Sequence, residues 1–252
     1  MDGNRKSGLA AMAALVGLMV FPATSDSDTP ITADSPPLRA DSLALRIAAR
    51  YGAEAFPGVK ALRYKFNVRY KGKDVVREWA WFPVSDSVRY RGPDEKGLPV
   101  TAAYSRRNSY SMSSAPVAAI DKSFINDQYW LLFPLHLKWD EGLELRISEP
   151  GGTDSGKSPS DRKKSAEAFK LTVVYPDAGG YTPGDAYDLF VDSSATLKRW
   201  VFRRGNATEG GREAFWSEPV EIGGLYFSLD HPGPDKDFRL WFTDVKVERD
   251  PS

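Results

Sequence analysis

The chain has 252 residues, with 34 Lys and Arg balanced by 34 Asp and Glu, two His and no Cys. That length suits one large domain or two small ones, and the charge balance argues against a nucleic-acid binder, which needs a basic face. The lack of Cys excludes disulfides, thiolate zinc sites and cysteine nucleophiles, while 39 Gly and Pro and 31 aromatic residues lean toward strands and turns.

Residues 1–25 read as a cleaved export signal. Arg5 and Lys6 form a short positive region, residues 8–21 carry no charge, and Ala23 and Ser25 supply small residues before the cut. Fourteen apolar residues fall short of the roughly 20 that span a bilayer. No lipidation cysteine follows, so the mature chain is expected to be soluble, in the periplasm or secreted. It keeps 32 positive and 33 negative charges, a balance with no pull toward an anionic membrane or DNA. Residues 26–41 are rich in Asp, Ser, Thr and Pro and read as a disordered spacer. Residues 42–249 are expected to form a single domain.

That domain opens with a helix capped by Asp41 or Ser42, carrying Leu43, Ile47, Tyr51 and Ala55 on one stripe and stopped by Pro57. Residues 62–70 then alternate: Leu62, Tyr64, Phe66, Val68 and Tyr70 on one face, Arg63, Lys65, Asn67 and Arg69 on the other. Period two with a charged face marks a half-buried antiparallel strand. Residues 71–73 turn the chain into a second strand over 75–82, with Trp79 and Trp81 on one face and Val76 and Phe82 on the other. Short strands follow at 88–91 and 100–104.

Residues 116–127 read as a helix with Pro116 in its first turn. It runs into residues 129–137, the most apolar segment after the signal, where Pro134 forbids a straightforward helix. Residues 149–165 read as a polar loop. Strands are expected over 169–175, 187–191 and 197–203, then around Phe215 and Ile222, over 225–229 and over 238–247. With about ten strands, two helices and no βαβ rhythm, the fold is α+β and mainly antiparallel β: one strongly curved sheet with two helices against its concave face.

Several motifs carry chemistry elsewhere. Gly151 to Ser158 fits G-x-x-x-x-G-K-[ST], but Pro150 precedes it and no apolar period follows to dock a helix, so a flexible polar loop is the better reading. His136 reads as a packed amphipathic residue and His231, before Pro232-Gly233, as a turn residue; neither has zinc-ligand spacing and no G-x-S-x-G elbow exists. Asp185 and Asp188 could pair as acid and base, but read better as a turn residue and a solvent-facing strand residue. Asp235 and Asp237 lack the ligand density of a calcium site. Asn206-Ala207-Thr208 is a glycosylation sequon, meaningful only in a eukaryotic secretory route.

Residues 124–135 (Phe-Ile-Asn-Asp-Gln-Tyr-Trp-Leu-Leu-Phe-Pro-Leu), together with Thr182-Pro183-Gly184-Asp185 and the strand pair that follows, resemble an uncharacterised exported bacterial family. That family is similar to the lipoprotein-carrier (Lol-type) superfamily, over residues 43–247. The resemblance implies an unclosed β-barrel capped by helices, enclosing a cavity for acyl chains and working without covalent chemistry. The carrier's latch arginine falls on none of Arg63, Arg69 or Arg77 in particular.

The functional expectation is therefore a monomeric, non-catalytic protein without cofactor or metal. Its ligand is a lipid or acylated protein rather than nucleic acid, and an envelope protein is the expected partner. Leu62, Tyr64, Phe66 and Val68 would form the floor of an apolar groove beside Trp79 and Trp81. Tyr129, Trp130, Leu132, Leu135 and Leu137 would form its lid or rim. A filled core behind that stripe sinks the open groove, and helices that cover it fully make any binding conditional on their movement. The alternatives are a surface module using a solvent-facing row of Trp to bind carbohydrate or protein, and, behind it, a hydrolase in which two of Asp185, Asp188 and His136 converge.

Overall fold

The computed structural model describes residues 38–108, 114–149, 167–178 and 182–249. The export signal, most of the spacer and the G-x-x-x-x-G-K-S match lie outside the described residues.

The first helix, α1 (Ala40–Arg50), is followed by a 3₁₀ segment at Ala53–Gly58. Its cap position is Arg39 rather than Asp41 or Ser42, and Asp41 sits in the first turn, where a carboxylate suits the helix dipole. The helix stops before Pro57 because Gly52 takes a left-handed backbone (φ +87°), and Pro57 lies inside the 3₁₀ segment.

Four strands form a meander: β1 (Val59–Tyr70), β2 (Lys73–Phe82), β3 (Ser87–Pro93) and β4 (Pro99–Ser105). Lys71 and Gly72 connect β1 to β2 with φ of 49° and 74°, the two positive values of a tight I′ hairpin turn. The second long helix, α2 (Ala115–Trp139), is followed by β5 (Glu144–Ser148), β6 (Phe169–Val174), β7 (Ala186–Val191), β8 (Leu197–Arg203) and β9 (Arg212–Phe215). The chain ends with β10 (Val220–Ile222), β11 (Leu225–Phe227), β12 (Asp230–Pro232) and β13 (Phe238–Arg249).

Among the described residues there are thirteen strands rather than about ten, in two main antiparallel sheets rather than one. The first sheet runs β12-β13-β1-β2-β3-β4 and the second β5-β6-β7-β8-β9, with β10-β11 a separate hairpin. The edges β9 and β12 lie side by side: Ser217 donates its N–H to Asp230 O at 3.1 Å. The two sheets therefore make one curved wall, open between β4 and β5.

Helix α2 lies within that wall. Phe124 packs on Trp79 of the first sheet, and Phe133 packs on Tyr187 and Trp200 of the second. Pro134 sits inside the helix, contrary to the sequence expectation of a break. An interior proline costs about 3 kcal/mol. Every residue from Asp127 to Leu137 is buried, and each large apolar side chain buried contributes about 1.5–3 kcal/mol, so packing outweighs the lost hydrogen bond. Helix α1 packs against α2 and against the turn between β7 and β8, where the Leu197 N–H donates to Tyr51 Oη at 3.3 Å.

Candidate functional site

Alternation along β1 aims Leu62, Tyr64 and Phe66 inward, each at most 1% exposed, with half-buried Val68 at the end of the stripe. Strand β2 adds Trp79 and Trp81 on the same side. All of these except Val68 are buried, within one core that also contains α2. The concave face is thus occupied by a helix in this state. The five residues expected as a lid belong to that helix, and they point to different neighbours. Trp130 meets Trp200 with ring centroids 4.4 Å apart, whereas Tyr129 stacks on His136 at 4.1 Å. Leu132, Leu135 and Leu137 are at most 5% exposed.

Polar contacts fasten α2 to the first sheet. Arg77 on β2 donates Nε and Nη2 to the two carboxylate oxygens of Asp127, both at 2.6 Å. Trp79 Nε1 adds a third hydrogen bond at 2.8 Å and Asn126 Nδ2 a fourth at 3.1 Å. Complete burial holds the Asp127 carboxyl above the usual range, opposed by these donors. The guanidinium also lies 4.6 Å from the Phe66 ring. Nearer the helix start, Arg106 donates to Asp121 at 2.9 Å. Of the three arginines weighed for a latch, Arg63 pairs outward with Glu248 and Arg69 with Asp74; of these pairs, the one on α2 is that of Arg77. Sequence reasoning missed Asp127, although it is the only charged residue in the apolar run 124–137.

A second feature lies where the sheets meet. His231 belongs to β12 and is fully buried, not in a turn, because the alternation of that short strand aims it inward. Its ring lies 4.5 Å from Trp216, Trp216 lies 5.3 Å from Trp200, and Trp130 faces both Trp200 and His231. The Nε1 atoms of Trp200 and Trp216 are buried without a hydrogen-bond partner among the described residues, and the buried His231 ring faces the backbone of Ser228 and Phe215. Burial pushes the His231 imidazole down to about 3.

The acid–base candidates do not assemble. His136 pairs with Asp140 through Nδ1 at 3.0 Å, and the Tyr129 and Tyr175 hydroxyls donate to the same carboxylate. Burial raises the Asp140 pKa, but these donors outweigh it and hold the carboxyl below its usual value. Asp188 is half-buried rather than solvent-facing: it accepts from Thr172 at 2.6 Å and pairs with Arg203, whose stem and charge cover it. Asp185 accepts the Gly205 N–H. Asp235 accepts the Asp237 N–H within its own loop. Asn206 Oδ1 accepts from Arg203. Among the described residues no three His, Asp or Glu side chains are grouped to hold a metal, and no helix is long and apolar enough to cross a membrane. Trp79, Trp81, Trp130, Trp200 and Trp216 are buried, so the tryptophans form no solvent-facing row.

On the opposite, solvent-facing side of the first sheet is a hollow of about 460 Å³, lined by charged side chains of β13, β1, β2 and β3.

No protein-family model and no curated protein matches this sequence. A solved structure, that of a DUF1329 family protein from Desulfovibrio piger, aligns over 85% of this chain and 96% of its own, with 9% identity and a TM-score of 0.40.

Proposed function

We propose that this protein is a non-catalytic, exported carrier that takes an acyl chain of a lipid or acylated protein between its curved wall and α2. The observation that carries the reading is that α2 is buried around its whole circumference from Asp127 to Leu137 and, Asp127, Gln128 and His136 apart, carries apolar or aromatic side chains there. A helix of this kind fills the wall as a plug, and an acyl chain of similar polarity could take its place. The exchange requires α2 to lift, a population shift toward an open state. The Arg77–Asp127 pair is a contact that such a movement must break, with the Arg106–Asp121 pair nearer the helix start.

The unspent N–H groups of Trp200 and Trp216 support the same reading, because a buried donor left unpaired costs about 1–3 kcal/mol. The carbonyl of an acyl ester entering the core would satisfy them. The leader expected in residues 1–25 sends the chain to the periplasm or out of the cell.

The test is native mass spectrometry of the protein purified from a bacterial envelope, followed by uptake of a fluorescent fatty acid. An acyl adduct is expected, and Asp127→Asn should take up the probe faster than the wild type. A clean apo mass, with no uptake by either protein, overturns the proposal.

A further inference from the structure

The solvent-facing side of the first sheet is organised in cross-strand rows. In one row Lys246, Arg63, Ala80 and Arg89 lie directly opposite one another on β13, β1, β2 and β3. In the next, Lys65, Glu78 and Arg91 do the same. Side chains directly opposite on an antiparallel pair approach to about 5 Å, and like charges there repel. Lys246 lies opposite Arg63, and Glu248, paired with Arg63 and with its pKa lowered by both cations, stands beside them.

Ala80 stands between the two arginines of the first row. Its methyl group makes a small floor, and the hollow of about 460 Å³ opens above it. That size is in the range of small-molecule sites. Both arginines lean over one ring: Arg63 Cζ lies 5.5 Å and Arg89 Cζ 5.3 Å from the Phe82 centroid. The lining carries five cations against two carboxylates, Glu78 and Asp244. Lys65 is held by Asp244 at 2.7 Å and Arg63 by Glu248 at 2.5 Å. Arg89, Arg91 and Lys246 make no ion pair or side-chain hydrogen bond among the described residues, and all three are exposed.

We infer that this hollow is a binding site for a phosphoryl group. Guanidinium forks present paired N–H donors that match phosphate oxygens. The positive excess of the lining also suits a phosphomonoester, which carries about −1.5 to −2, better than a single carboxylate. A bound phosphoryl group would sit over Ala80 between Arg63 and Arg89, with Arg91 and Lys246 beside it. The site is on the opposite side of the wall from α2 and stands or falls independently of acyl binding.

The test titrates the full-length protein calorimetrically with glucose 6-phosphate at low ionic strength, and floats it with vesicles of phosphatidylglycerol or of phosphatidylcholine alone. Binding to the phosphosugar, to phosphatidylglycerol vesicles, or to both is expected, and which one binds assigns the phosphoryl group to a soluble ester or a lipid headgroup. Arg89→Ala with Arg91→Ala should weaken the interaction about tenfold or more. Ala80→Glu, which places a carboxylate on the floor, should abolish it. Arg212→Ala, on the second sheet, should leave it unchanged. Circular dichroism confirms that each variant is folded. Absence of binding in both arms, or equal weakening by Arg212→Ala, overturns the assignment.

Discussion

Arg77 grips Asp127 with one nitrogen on each carboxylate oxygen, both at 2.6 Å, and the Asp127 side chain is completely buried. This pair joins the first sheet to the interior helix. Removing one partner of a buried pair leaves the other charge uncompensated, at a cost of about 3–5 kcal/mol. Asp127→Ala should therefore lower the unfolding free energy measured by urea titration by an amount in that range, and it also strands the Trp79 indole N–H. The double variant Arg77→Met, Asp127→Leu should lose less than Asp127→Ala alone, because no buried charge remains. Equal or greater loss in the double variant would show that the pair stabilises the fold beyond its desolvation cost.

His231 sets an acid sensitivity. Its pKa is about 3 in the folded protein, against about 6.5 when the chain is unfolded. Between these values the unfolded state binds a proton that the native state refuses, so stability falls as pH falls through this window. From pH 6.5 to pH 5 the loss should be about 1.6 kcal/mol. Urea titrations across that range should detect it, and His231→Phe, which keeps an aromatic ring in the nest, should flatten the slope. An unchanged slope in His231→Phe would locate the sensitivity elsewhere.

Asp140 acts in a lower window. Its carboxyl is held below its usual value, so it stabilises the fold above the unfolded pKa of about 3.9, and that stabilisation is lost as pH falls through the lower folded value. Asp140→Asn should leave a shallower acid-unfolding limb below about pH 4, with little change in slope between pH 5 and 7. Far-ultraviolet circular dichroism during acid titration provides the measurement.

Gly52 is fixed by both conformation and space. Its φ is +87°, and a Cβ built on it would lie 2.8 Å from the Gly224 carbonyl oxygen. The left-handed backbone alone costs about 1–2 kcal/mol for an alanine, and the obstructing atom belongs to the β10–β11 turn backbone, which cannot swing aside like a side chain. Gly52→Ala should lower thermal stability by more than that figure. A neutral substitution would mean that the hairpin moves freely against α1.

The strand content was legible in the sequence because period-two alternation reports directly which side of a sheet is wet. Leu62, Tyr64 and Phe66 against Arg63 and Lys65 placed β1, and Lys71-Gly72 placed its turn. Helix α2 was half legible. Its amphipathic start was visible, but its second half is buried on every side from Asp127 to Leu137 and so shows no clear period, and Pro134 read as a stop. His231 was misplaced because a Pro-Gly pair after it looks like a turn, whereas burial of one three-residue strand depends on the edge it lies against. The clamp was invisible for another reason: Arg77 and Asp127 are 50 residues apart, and nothing local requires either to choose the other.

What the sequence determined by itself is the antiparallel, helix-backed character of the domain, because hydrophobic periodicity is a local property of the chain. Tertiary structure alone decided that the concave face is filled by α2, that Arg77 and not Arg63 or Arg69 reaches the helix, and that a chain of zero formal charge gathers cations around Ala80. Those outcomes depend on strand register and on which residues burial brings opposite one another, and both are properties of pairs distant in sequence.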